Sequence, residues 1–228
     1  MARRAFTATG SIFALLIYIG AVRAYNNGVA ESPPMGWNTW CTMDLCGLID
    51  HCTEKEVKSV ADALVSSGLK DLGYEYVNLD DCWAAKERDE QGRLQGAPQQ
   101  FPSGMAALAE YVHGLGLKIG LYTCVGTQTC KYGRPGSYGN FELDAQTFAD
   151  WGIDQVKADY CHRSGNETSV ELYSAFSEAL NATGHKMLFS LCEWGEDEVW
   201  TGWGADVGQM MRVQMDHLPL WHYPPQAA

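Results

Sequence analysis

"DAQTFADWGIDQVKADYC", residues 144–161, holds a helix and a strand in one phrase. Residues 144–151 read as helix and 153–159 as an extended strand. On that strand Lys157 and Asp159 stand two apart, so both side chains point to the same face. A cation beside a carboxylate at the end of a short apolar run, followed at once by Cys161, marks the strand's carboxyl end as a place for chemistry.

The same cycle runs along the chain. Thr53-Glu-Lys-Glu56 has the form of a capping box, and Val57, Val60, Ala61, Leu64 and Val65 then recur at helical spacing until Gly68 ends the helix. A strand over 74–80 follows. A helix over 105–113 leads to a strand over 117–123, and a helix over 170–180 to a strand over 186–192. With strands near Trp37 and Arg212, this makes about six repeats of roughly 35–40 residues, and such alternation means a mainly parallel sheet.

Two architectures fit, a doubly wound open sheet and a closed (β/α)8 barrel. A dinucleotide-type sheet opens with a Gly-rich turn after its first strand, and this sequence has none. It has instead polar residues at the carboxyl end of nearly every strand: Asp80 and Asp81, Tyr122, Lys157 and Asp159, Cys192 and Glu193. Barrel enzymes place their chemistry there. The fold class expected is therefore α/β, a TIM-type barrel with about six of the eight repeats present. Residues 84–101 read as a polar loop or hairpin on the same rim. Carboxylates and a lysine converging there with Trp40, Trp83 and Trp194 describe a polar pocket with aromatic walls, suited to a small polyhydroxylated ligand.

Composition narrows the partners. A formal net charge of −12 argues against nucleic acid and anionic lipid. Arg3 and Arg4, the apolar stretch 12–22 and the small-residue site before Tyr25 have the form of a secretory signal peptide, so residues 1–24 are expected to be removed and 25–228 to form the N-terminal part of the barrel. Nothing later approaches the roughly 20 apolar residues of a membrane helix. All eight cysteines lie beyond that leader, in a compartment that favours disulfides. Cys41, Cys46 and Cys52 lack paired zinc-ligand spacing, so neither metal nor cofactor is expected. Sequons at Asn166 and Asn181 are consistent with export.

"PPMGWNTW", "YVNLDDCW", "GLKIGLYT", "GTQTC", "PGSYG", "DAQTFADWGIDQVKADYC" and "SLCEWG" together resemble the α-galactosidase (melibiase) family, glycoside hydrolase family 27, from about residue 32 to 195. The resemblance implies a (β/α)8 barrel followed by an antiparallel β-domain, and hydrolysis of terminal α-galactosides with retention of configuration. It implies that Asp159 is the nucleophile and that Trp40, Asp80, Asp81, Tyr122 and Lys157 hold the sugar, with Lys157 favouring the charged form of Asp159. Cys192, Glu193 and Trp194, in a C-E-W motif, border the sugar's 2-position. Arg212 and Asp216 match the family's spacing of an arginine and the acid/base carboxylate, although Met211 and Met215 depart from its usual Trp and Gly. The resemblance also implies disulfides Cys46–Cys82 and Cys130–Cys161. It leaves Cys41 and Cys52 to bridge each other or stay unpaired, and places Cys124 where the family often has Asp or Ser.

The expected substrate is a small or oligomeric galactoside, with no nucleic-acid or membrane partner after signal cleavage. The expected location is extracellular, lysosomal or vacuolar. The sequence stops before the last two repeats and the β-domain that the resemblance implies, so residues 25–228 alone are expected to show no turnover. The rival readings are α-N-acetylgalactosaminidase or β-L-arabinopyranosidase activity, and a non-catalytic galactose-binding fragment.

Overall fold

The computed structural model describes residues 27–40 and 52–215. The expected leader, Cys41, Cys46 and Asp216 lie outside these residues. In chain order the elements are β1 Met35–Asn38, α1 Glu54–Ser66, β2 Tyr74–Leu79, α2 Met105–Gly114, β3 Lys118–Cys124, α3 Phe141–Asp150, β4 Gln155–Asp159, α4 Ser169–Ala182, β5 Leu188–Cys192, α5 Trp203–Val207 and β6 Met210–Met211. The six strands form one sheet in the order β1-β2-β3-β4-β5-β6, and every neighbouring pair is parallel. Strands that add in chain order without reversal curl into a half-barrel. A doubly wound sheet reverses its order at a switch point, and none occurs among the described strands.

Local chemistry starts the helices where the sequence places them. The Thr53 hydroxyl accepts the Glu56 N–H at 3.3 Å and donates to the Glu56 carboxylate at 3.0 Å. Thr168 and Glu171 form the full reciprocal box at the head of α4. Helix α3 starts at Phe141, three residues ahead of the expected Asp144. Asp144 instead lies inside the first turns, fully buried, where Arg88 grips both its oxygens at 2.6 and 2.8 Å.

The two faces of the sheet do different work. Val77, Leu79, Ile119, Leu121, Val156, Ala158, Phe189 and Leu191 are essentially fully buried against the helices. Trp83, expected on the rim, belongs to this layer. Its indole N–H is satisfied by the Tyr122 carbonyl at 2.8 Å, and its ring meets Phe148 and Trp151 edge-on. The other face looks into the half-barrel and is polar, and its register is set by Asn78, Gly120 and Gln155 lying level on β2, β3 and β4. Asn78 Nδ2 donates to Gln155 Oε1 at 3.3 Å, passing over Gly120. A Cβ on Gly120 would meet Asn78 Oδ1 at 2.1 Å, so the bond exists because position 120 has no side chain.

Gly120→Ala is therefore expected to lower the unfolding free energy by about 1–3 kcal/mol in a urea melt. Asn78→Ala in the same chain should recover part of the loss. An equal loss with and without Asn78 would show that the clash lies elsewhere.

Candidate active site

The parallel register brings chemistry-bearing residues level at the carboxyl ends of four strands. Tyr122 stands beside Lys157, which stands beside Ser190, and one step further Cys124, Asp159 and Cys192 are aligned. Asp80 follows β2 directly. Its backbone N–H donates to Thr39 Oγ1 at 2.8 Å, which ties the end of β2 to the end of β1.

Lys157 and Asp159 share a face, as the sequence predicts, but they are not each other's closest partners. Side chains two apart on a strand are separated by roughly 7 Å along it. The lysine stem instead crosses β3 and brings Nζ to 2.7 Å from Asp80 Oδ2. On the way the ammonium lies 5.1 Å from the Tyr122 ring centroid and 5.8 Å from that of Trp40. Burial alone would push the Lys157 pKa down. Asp80, together with the Cys192 and Asp159 positions, outweighs it, and the group is held above its ordinary value.

Asp159, only 8% exposed, is aimed by three donors. Its Oδ1 accepts the Trp194 indole N–H at 2.8 Å and the Tyr160 N–H at 3.0 Å, and its Oδ2 accepts the Tyr122 hydroxyl at 3.0 Å. Burial, reinforced by Asp159, drives the Tyr122 phenol far above its usual range, so it remains a donor. A cavity of about 290 Å³ opens in front of this carboxylate. Asp80, Lys157 and Asp159 form its floor, and Trp40, Trp194 and Arg212 are among its walls. A larger cavity of about 380 Å³ lies at the opposite ends of the strands, around residues 28–35 and Lys118. There Lys118 is paired with Glu75 at 2.8 Å and Asp154 with His113 at the same distance. The cavity in front of Asp159, where the polar carboxyl ends of the strands converge, is the candidate site.

Several expected site residues are placed behind the walls. Asp81 does not line the cavity. Its Oδ2 accepts the N–H groups of Lys131 and Tyr132 at 2.7 and 3.2 Å, so it pins the loop after β3, and burial raises its pKa. Glu193 is fully buried and accepts the N–H groups of Gly195, at 3.1 Å, and Asp197. Cys192 is buried with its sulfur 3.9 Å from Arg212 Nη1. Asp216 lies outside the described residues.

The cysteine pairing corrects one expectation. Cys82 is bridged to Cys52, with Cα atoms 6.1 Å apart, and not to Cys46, nor does Cys52 bridge Cys41. The reason is topological. A helix that packs antiparallel on its strand begins at the strand's carboxyl end, so Cys52, just ahead of the α1 cap, sits level with Cys82, just after β2. Cys130–Cys161 is present, with Cα atoms 5.3 Å apart, and ties the loop after β3 to the loop after β4. Cys130, Cys161 and Asp159 converge closely enough to suggest a metal site, but both sulfurs are consumed by the bridge. Cys124 and Cys192 are unpaired, and burial pushes both thiols up to about 12.

Two contributors were missed by the sequence reading. Lys131, on the cavity wall, places its ammonium 5.1 Å from the Trp40 ring centroid and 5.3 Å from that of Tyr132. Its place directly after Cys130 was the available signal. Arg88 donates to Asp144, to the Gly92 carbonyl and to the Gly136 carbonyl, so one guanidinium joins the excursion after β2, helix α3 and the loop after β3. No local pattern pairs Arg88 with a carboxylate 56 residues away.

The family model for alpha galactosidase A matches residues 32–212. Alpha-galactosidase A of Cellvibrio japonicus is 44% identical over 97% of this chain and 53% of its own length. Among solved structures, alpha-galactosidase I of Mortierella vinacea is 45% identical with a TM-score of 0.72, over 78% of this chain and 44% of that one. The alpha-galactosidase of Saccharomyces cerevisiae, solved with raffinose, is 38% identical with a TM-score of 0.75, over 82% and 40%. The chain spans about half the length of the curated relatives it matches.

Peptide mapping of the unreduced protein should recover Cys52–Cys82 and Cys130–Cys161. Iodoacetamide should label Cys124 and Cys192 only after unfolding, because a thiol pKa near 12 leaves about one thiolate in ten thousand at pH 8. Removing the Cys130–Cys161 bridge should cost about 2–4 kcal/mol of stability. A Cys46–Cys82 peptide, or labelling of Cys124 or Cys192 in the folded protein, would contradict this arrangement.

Proposed function

The chain belongs to the alpha-galactosidase A family, and we propose that the protein carrying it removes terminal α-D-galactose from galactosides by a retaining double displacement. The observation that carries this reading is the aim of Asp159, held by a donor on each oxygen and facing a sugar-sized polar cavity. In the first step a carboxylate oxygen of Asp159 bonds to the anomeric carbon as the glycosidic C–O bond breaks. Asp216, as a carboxylic acid, gives its proton to the departing oxygen. In the second step water attacks that carbon, its proton passes to Asp216, and the Asp159 carboxylate is released. Oδ1 already accepts two N–H donors and Oδ2 one hydroxyl, so Oδ2 keeps a lone pair for attack.

The walls supply recognition. Lys157 and Asp80, each the other's counter-charge, present a donor and an acceptor to sugar hydroxyls without leaving either charge unpaired. Trp40, 45% exposed, offers a ring face on which the apolar side of the sugar can lie. Arg212 contributes a guanidinium beside Cys192. Export through the leader at residues 1–24, to the cell exterior or to a lysosome or vacuole, belongs to the same reading and agrees with the two bridges.

In the full protein, Asp159→Asn should leave galactose affinity within about threefold and lower kcat on aryl α-galactosides by at least about a thousandfold. NMR of early product should show α-galactose, since two inversions restore the starting configuration. Early β-galactose, or near-normal turnover by the variant, would overturn the mechanism. Preference for 2-acetamido or β-L-arabinopyranosyl substrates would replace the specificity.

A further inference from the structure

Glu193 is a fully buried carboxylate that no step of the proposed reaction uses. The C-E-W resemblance places it at the sugar's 2-position, yet both its oxygens are turned toward its own loop. Oε2 accepts the Gly195 N–H at 3.1 Å, and Oε1 accepts the N–H of Asp197. Between this carboxylate and its first partner stands Trp194, whose φ of +67° puts a bulky residue in the left-handed region. That conformation is costly for any side chain with a Cβ and persists only where the surroundings force it.

The residues on both sides of Trp194 are held in place. On one side Cys192 is fixed in the ladder between β4 and β5. On the other, Gly195 also has a left-handed φ of +84°, and a Cβ there would lie 2.3 Å from the Val213 carbonyl oxygen and 3.0 Å from the Trp200 ring. Asp197 is held further by the Trp203 indole, which donates to its carbonyl at 3.0 Å, and by the Tyr160 hydroxyl at 3.4 Å from its carboxylate. The outcome of this turn is a single delivered group, the Trp194 indole N–H, 2.8 Å from Asp159 Oδ1.

We propose that Glu193 is a positioning residue: by clamping the backbone N–H groups of Gly195 and Asp197 it holds Trp194 in the left-handed turn that delivers the indole N–H to Asp159. The proposal rests on the reading of Asp159 as nucleophile. Glu193 then acts on the direction of attack, by keeping Oδ1 saturated and Oδ2 presented, and not on the identity of the group at the sugar's 2-position.

The test uses the full protein with 15N-labelled tryptophan, the Trp194 indole resonance being assigned by its loss in Trp194→Phe. Glu193→Ala should speed hydrogen exchange of that indole N–H at least about tenfold. It should also lower kcat on an aryl α-galactoside by about 10–100-fold, as misplacements near 1 Å do, with KM moved less than about threefold. Glu193→Gln keeps one acceptor oxygen and should recover most of both effects, and it serves as the folded comparison if the alanine variant does not accumulate. The double variant Glu193→Ala/Trp194→Phe should be no slower than Trp194→Phe alone, because both break one chain of contacts. Unchanged indole exchange in both Glu193 variants, additive losses in kcat, or a changed ratio of galactoside to 2-acetamido-galactoside hydrolysis would overturn the proposal. Indole exchange is read without turnover. A wild-type protein inactive on α-galactosides would therefore refute the functional reading while the exchange result still decides the role of Glu193.

Discussion

A 2.7 Å contact between the Lys157 ammonium and the Asp80 carboxylate holds the polar interior of this half-barrel together. Asp80 is 2% exposed, and an unpaired charge at that depth would cost several kcal/mol. The contact joins β2 to β4 across β3, so it can form only if the three strands are level. The level is set lower down, where Asn78 reaches Gln155 across the bare backbone of Gly120. Once the ammonium is committed to Asp80, Asp159 must take its partners from elsewhere, and Tyr122 and Trp194 supply them. Asp80, Lys157 and Asp159 thus each have their direction fixed by a partner from another repeat.

The outer frame is held by a different set of contacts with the same logic. The loop after β3 forms part of the cavity wall and is tied at three points: to Asp81 through the Lys131 and Tyr132 N–H groups, to the loop after β4 through Cys130–Cys161, and to Arg88 through the Gly136 carbonyl. Asp81 and Arg88 both follow β2, so that segment braces the wall of the site although neither charge faces the cavity. Adjacent polar residues at one strand end have divided the work, Asp80 facing inward and Asp81 sideways.

The fold was legible because its signal is periodic. Helix and strand patterns alternate at a steady interval, and the polar strand ends stand out against apolar runs. Parity puts Lys157 and Asp159 on one face, the recurrence of polar strand ends puts Asp80 and Tyr122 on the same rim, and the structure brings the four together. What parity does not carry is lateral reach. It gives the face of Lys157 and not the strand its Nζ crosses to, and it places Asp81 and Glu193 at strand ends without saying that their carboxylates turn back onto loop N–H groups. Cysteine connectivity is likewise not contained in spacing. The partner of Cys82 depends on where helix α1 begins in space. The left-handed turn at Trp194 has no sequence marker of the usual kind, because the residue is not glycine and the bonds that span the turn run from the Glu193 carboxylate to the N–H groups of Gly195 and Asp197.

The two bridges close loops of nearly equal length, with separations of 30 and 31 residues, and each links one repeat to the next. The sheet itself adds strands strictly in chain order. A strand emerging from the amino end therefore never waits for a distant strand to pair with. By the time Cys82 is available, Cys52 and the helix that carries it have already been made, and Cys161 finds Cys130 in the same way. At about 5–20 residues synthesised per second, each closure lags its first cysteine by roughly 2–6 s. Each completed unit then presents a single fresh strand edge to the one being made. The sheet can be assembled like a zipper whose teeth are locked behind the slider, and the order of its disulfides is written into the order of synthesis.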